Sequence, residues 1–201
     1  MQAINMRKVL VILGLLLVTS KAGTEQLEGA TLTWTFDGDD SINFNLTVES
    51  SITNEYGWYG VALREDGTGH YMGGADFSVL MVGDKEIKDM YASDNVRPSS
   101  DNQDNFSSTE VDTNSDGITA IWTRSLSGDG SSEDLALTQN TTYTVLWAYG
   151  KMESGVMQKH ESSTRGYGSL KLSEDYSDDG SDDSSFLGLV FSGLSLGFLT
   201  L

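Results

Sequence analysis

The chain has 201 residues, no cysteine, only two histidines, and a formal net charge of -18. Without thiols it cannot form disulfides, zinc–thiolate sites, iron–sulfur clusters or a cysteine nucleophile, and two histidines cannot supply a three-histidine metal site. Its acidity repels nucleic-acid phosphates and anionic lipid headgroups, so neither is expected as a partner.

The N-terminus opens with Arg7 and Lys8, followed by an apolar run from Val9 to Val18 that is too short to span a bilayer. Ser20 and Ala22 put small residues where a signal peptidase reads them. Residues 1–22 are therefore expected to be a secretory signal peptide, cut after Ala22.

The body, residues 23–174, reads as strand almost throughout. TLTWTF (31–36) is the first run rich in β-branched and aromatic residues. INFNLTV (42–48) alternates Ile42, Phe44, Leu46 and Val48 against Asn43, Asn45 and Thr47, the signature of a half-buried strand. GWYGVAL (57–63), FSVLMV (77–82), EIKDMYA (86–92), ITAIWTR (118–124), YTVLWAY (143–149) and SLKL (169–172) follow. REDGTG, GDK, NSDG and SGDGSSED separate these runs, and Pro98, the one proline, falls in a connection. Many short strands between turn signals argue for an antiparallel sandwich or barrel.

Little of the chemistry-bearing vocabulary survives scrutiny. DTNSDG, Asp112 to Gly117, opens like a calcium loop, but its twelfth position is Thr123 and its flanks are strands, so a β-hairpin turn is expected. GTGHYMGG, Gly67 to Gly74, resembles a phosphate-cradling loop without the strand-to-helix context. No GxSxG elbow occurs, and no spacing singles out a pair of carboxylates. What remains is Met72, in a glycine-flanked loop ahead of a strand, and His160, just before the last strand. Residue type alone leaves both open between packing, surface decoration and metal ligation.

The C-terminus ends in an apolar run from Phe186 to Leu201 with no charge after it, preceded by SDDGSDDSS (177–185). A small-residue site, a polar spacer and a terminal apolar tail form the pattern of a glycosylphosphatidylinositol (GPI) signal. The expectation is an acidic, disordered spacer over 175–185 carrying the attachment site near Gly180, and a discarded tail over 186–201. Sequons at Asn45, Asn105 and Asn140 agree with an extracellular domain and are expected to carry glycans.

GWYGVAL followed by MGGADFSVLMVG, the stretch from GITAIWTR to YTVLWAYG, and HESSTRGYGSLKL together resemble the DOMON domain family over residues 30–172. The resemblance implies an all-β fold, an immunoglobulin-like antiparallel β-sandwich of about ten strands. Many members hold a non-covalent haem b between a methionine and a histidine from two loops. Carried onto this chain, the iron ligands are Met72 and His160, with Tyr71 and Arg165 also touching the cofactor, Arg165 through a propionate. Trp58, Phe77, Met81 and Met90 join Tyr71 as crevice walls. The implied function is a GPI-anchored extracellular b-type cytochrome domain with no substrate chemistry of its own. It would relay single electrons between a redox protein and a protein or small-molecule acceptor, touching the membrane only through its lipid. The alternative is a haem-free DOMON module that binds a sugar or other small ligand at the cell surface.

Overall fold

A computed structural model describes residues 22–101, 105–128 and 130–174. The expected signal peptide apart from Ala22, the spacer with Gly180 and the apolar tail lie outside the described residues.

Two antiparallel sheets face each other. The first has the order β1-β2-β3-β9-β8, formed by β1 (Gly23–Leu27), β2 (Ala30–Asp37), β3 (Ser41–Glu49), β9 (Gly117–Ser125) and β8 (Phe106–Thr113). The second has the order β13-β10-β4-β5-β6-β7, formed by β13 (Arg165–Lys171), β10 (Thr142–Gly150), β4 (Trp58–Glu65), β5 (Ala75–Met81), β6 (Glu86–Ala92) and β7 (Ser99–Ser100). A small hairpin, β11 (Met152–Glu153) with β12 (Val156–Met157), and one helical turn, α1 (Ser50–Thr53), complete the described elements. The architecture is the expected antiparallel sandwich, with eleven strands in its two sheets. The DTNSDG segment is the expected hairpin turn: β8 and β9 pair across it, and the Asn114 side-chain oxygen accepts the backbone N–H groups of Asp116 and Gly117.

The first sheet obeys simple alternation. Along β3, Ile42, Phe44, Leu46 and Val48 are buried and the residues between them are half-exposed. These side chains meet Tyr59, Val61, Leu63, Val145, Tyr149 and Leu170 from the second sheet in the inner core. Phe44 stacks on Trp122 at 5.3 Å between ring centroids. Arg124 of β9 crosses the core to Asp76 of β5 at 2.5 Å and so ties the two sheets together.

The second sheet breaks the alternation. β4 is buried from Trp58 to Arg64 and β5 over its whole length, so both faces of these strands are shielded. One face is the inner core. On the other, Trp58, Ala62, Phe77, Val79, Met81, Met90 and Leu146 form a second apolar cluster. Shielding a side chain of this size contributes roughly 1.5–3 kcal/mol, which is why the connections of the second sheet fold back over its outer face.

Candidate functional site

Two connections cover that face, and they arrive from opposite ends of the sheet. The segment 66–74 joins β4 to β5 at the end where Leu63 pairs with Asp76. The segment 151–164 leaves β10 at the other end, where Gly150 pairs with Trp58. Between them lies an open cleft of about 290 Å³, or about 970 Å³ with its mouth included, a size ordinary for a cofactor or small-molecule site. Gly60, Phe77, Val79, Leu146 and Ala148 are among the residues of the sheet that line it. Met72 and His70 line it from the first connection, and Met157, Lys159 and His160 from the second.

Met72 is held on a loop that glycine makes possible and other contacts make rigid. Gly67, Gly69 and Gly74 have φ of 76°, 97° and 73°, values that side chains disfavour. The Met72 N–H donates to the Asn95 side-chain oxygen at 2.9 Å, and the Met72 carbonyl accepts the Ala75 N–H at 3.0 Å. A Cβ on Gly73 would lie 3.0 Å from the Asp94 backbone, so this glycine lets the neighbouring loop approach. The glycines after Met72 thus serve loop packing.

Arg64 supplies the main clamp. It shares the outward parity of Trp58, Gly60 and Ala62 and is 6% exposed. Its guanidinium donates to the Thr68 hydroxyl at 3.0 Å, to the Thr68 carbonyl at 3.2 Å and to the Tyr71 carbonyl. The Tyr71 ring lies over it at 4.3 Å. A rigid planar fork thereby fixes the backbone immediately before Met72. The sequence offered one cue to Arg64, its even-numbered place beyond Ala62 at the end of β4, and residue-type reasoning missed it.

His160 is positioned from the other side. The β11–β12 hairpin lies at the end of the sheet where Gly150 pairs with Trp58, and the Trp58 indole N–H donates to the Gln158 carbonyl just after it at 3.2 Å. Thr164, buried, returns the chain to β10 by accepting the Tyr149 N–H at 3.0 Å. The His160 Nδ1 lies 3.2 Å from the Glu161 carbonyl, which only accepts, so Nδ1 carries the proton and Nε2 keeps its lone pair. Burial, aided by the positive charges of Arg165 and Lys159, pushes the imidazole below its ordinary pKa, against the Glu161 hydrogen bond. A neutral, oriented imidazole is the form that binds a metal ion.

The charges of the cleft oppose those of the chain. Lys159 and Arg165 line it, and no aspartate or glutamate does among the described residues, although the chain has 30 acidic residues against 12 lysines and arginines. Tyr71, 52% exposed, stands at the rim. Trp58 and Phe77 are lining residues, whereas Met81 and Met90 pack in the same outer layer without lining the cleft. The second histidine, His70, is exposed and its ring stacks on Tyr167 at 3.7 Å.

The sequons differ in their surroundings. Asn140 is exposed, with φ of 64°, in the turn before β10. Asn45 sits in the middle of β3, a central strand, on its half-exposed face. The Asn105 side-chain nitrogen donates to Asp134 at 2.6 Å.

Residues 26–150 match the DOMON domain family. The chain belongs to that family. Met72 lies inside the matched stretch, and His160, Arg165 and β13 lie beyond it. No curated protein matches the chain by sequence. Among solved structures, this DOMON domain is similar to the cytochrome domain of Myriococcum thermophilum cellobiose dehydrogenase, with a TM-score of 0.54 and 15% identity over 79% of this chain and 85% of that one. It is also similar to the cytochrome b domain of Coprinopsis cinerea pyranose dehydrogenase, with a TM-score of 0.50 and 15% identity over 76% of this chain and 82% of the other. At this identity the likeness establishes the fold.

The geometry makes two predictions for the unloaded protein. Replacing Arg64 with methionine keeps an apolar stem and removes the fork. Amide exchange over Thr68–Met72 should then accelerate by at least about tenfold, with Arg64→Lys failing to restore it. His160, whose folded pKa is depressed, favours the native state above its unfolded value near 6.5 and loses that advantage as pH falls through the folded value. His160→Gln should therefore flatten the fall in urea midpoint on acidification from pH 6.5, and equal slopes in both proteins would contradict it.

Proposed function

We propose that this DOMON domain is an extracellular b-type cytochrome that relays single electrons, tethered to the cell surface by a GPI anchor. The observation that carries the reading is one cleft, lined by the Met72 thioether and the proton-free nitrogen of the His160 imidazole from two separate connections, with Lys159 and Arg165 its only charged side chains among the described residues. The residues suit haem b. Its flat apolar body matches a floor of Phe77, Val79, Leu146 and Ala148, and its two carboxylates match Lys159 and Arg165. Gly60 leaves the floor open: a Cβ there would meet Trp58 and Val79 at 3.6 Å, ordinary contact, and a longer side chain would fill the cleft. The likeness to two cytochrome domains supports the same reading.

A bound haem b supplies one-electron ferric–ferrous chemistry. Met72 and His160 would both hold the iron, and an iron ligated by two side chains would be suited to electron transfer rather than turnover of oxygen or a substrate. The soft thioether of Met72 favours the ferrous state and raises the reduction potential. Arg64 keeps that thioether on a fixed backbone, which limits reorganisation between the two states. Thioether attachment of the c type is excluded by the absence of cysteine. The partner is a redox protein or a small electron acceptor that reaches the open mouth of the cleft. The signal peptide, spacer and apolar tail read from the sequence support a domain held outside the cell on a lipid, with glycans on the Asn140 and Asn45 sequons, since the Asn105 side chain is packed against Asp134.

Recombinant protein reconstituted with haem should give the sharp α and β bands of low-spin haem b on reduction with dithionite. Met72→Ala and His160→Ala should each turn the ferric spectrum high-spin or weaken retention by at least about tenfold. Gly60→Leu should abolish retention while keeping the thermal midpoint of the unloaded protein. A protein that stays colourless and takes up a sugar in the cleft instead would overturn the cytochrome reading in favour of a haem-free ligand module.

A further inference from the structure

The opposite face of β5 and β6 holds a cluster that the cleft does not use. Asp76 shares the inward parity of Ser78, and Ser78 pairs with Asp89, so both carboxylates point between the sheets. They are 5% and 6% exposed. Asp134 joins them from the β9–β10 connection, and one oxygen from each of the three lies within 4.8 Å of the other two.

Arg124 serves one member of this trio. Its guanidinium bonds Asp76 at 2.5 Å, the Leu135 carbonyl at 2.7 Å and the Ser125 carbonyl at 3.4 Å. Asp89 accepts the Asn105 N–H on Oδ2 at 3.1 Å, but its Oδ1 is sealed from solvent and receives no hydrogen bond from the described residues. The side-chain oxygen of Asn105 is sealed in the same way, while its nitrogen donates to Asp134. A buried, acceptor-only oxygen without a donor is unstable unless a proton or a cation reaches it. Burial, joined by the charges of Asp76, Asp134 and Asp101, pushes the Asp89 carboxyl up to about 7 against the pull of the Asn105 N–H. A proton satisfies one oxygen. A cation satisfies several at once and offsets the crowded negative charge.

We propose that Asp76, Asp89 and Asp134 form a binding site for a hard divalent cation of the calcium type. All the donors are oxygens, which excludes selection for soft metals. Calcium binds oxygens at about 2.3–2.6 Å, so ligands facing each other across it stand roughly 5 Å apart. Three oxygens within 4.8 Å of one another fit inside such a shell. Magnesium demands a tighter and more regular shell than a loop aspartate and two strand aspartates present. The ion would pin the β9–β10 connection to the β5–β6 edge, on the face of β5 turned away from Phe77 and Val79. The proposal is independent of the haem reading.

The test uses the mature protein freed of metal by chelator and titrated with calcium chloride, followed by calorimetry and thermal melting. Wild type should bind one ion per chain saturably and melt several degrees higher when loaded. Asp89→Asn and Asp134→Asn keep an oxygen for the Asn105 donors. Each should melt no lower than wild type in chelator and weaken calcium binding at least about tenfold. Absence of saturable binding by wild type overturns the proposal. So does undiminished binding by both variants, which would assign the ion to the acidic surface.

Discussion

One constraint shapes the whole molecule: the six-stranded sheet is apolar on both faces, and the five-stranded sheet covers only one of them. Trp58, Ala62, Phe77, Val79 and Leu146 belong to the uncovered side. Their burial requires the β4–β5 connection and the segment after β10 to fold inward from opposite ends of the sheet. Such covers are loops, and loops do not close over a sheet as densely as another sheet does. The cleft is the space that they leave. A site arises here as a consequence of how this sheet is shielded.

What distinguishes the cleft from a packing defect is the order imposed on its rim. The Met72 loop contains several glycines and would be costly to fix by itself. Arg64, Asn95 and the neighbouring Asp94 backbone hold it from three directions. On the other rim Trp58 and Thr164 fix the segment that carries His160. A thioether is a weak ligand whose usefulness depends on being held in place, and a histidine is useful only as the right tautomer. The structure meets both conditions with side chains that are remote from any substrate chemistry. The cationic lining, set in a chain of net charge -18, adds selectivity for a guest that is apolar in its body and anionic at its edge.

Much of the fold was legible in the sequence because alternation reports a strand shielded on one side. β2, β3, β9 and β10 stand where their β-branched and aromatic runs put them. β8 escaped notice because FSSTEVDT is almost entirely exposed at a sheet edge and carries no apolar period. β11 and β12 are two residues each, too short for any pattern. The second apolar face was partly present in the letters, since GWYGVAL lacks the polar residues that a half-solvated strand needs, whereas in ADFSVLM the two polar residues, Asp76 and Ser78, sit on the inner face. Residue type singled out Met72 and His160 but left their role open, and the family resemblance made them ligands, because nothing in their spacing says that loops from opposite ends of a sheet meet. The roles of Arg64 and Gly60 follow once the register fixes which side chains share the outer face, and that of Lys159 once the 151–164 connection is seen to fold over that face.

The central claim is that a sulfur and an imidazole nitrogen from these two loops bind one iron. X-ray absorption at the iron edge of the haem-loaded protein tests it most directly. The account predicts a single sulfur scatterer beside the nitrogens, lost on Met72→Ala and kept in Met157→Leu. A shell of nitrogen and oxygen alone, or a sulfur that survives the loss of Met72, would contradict it.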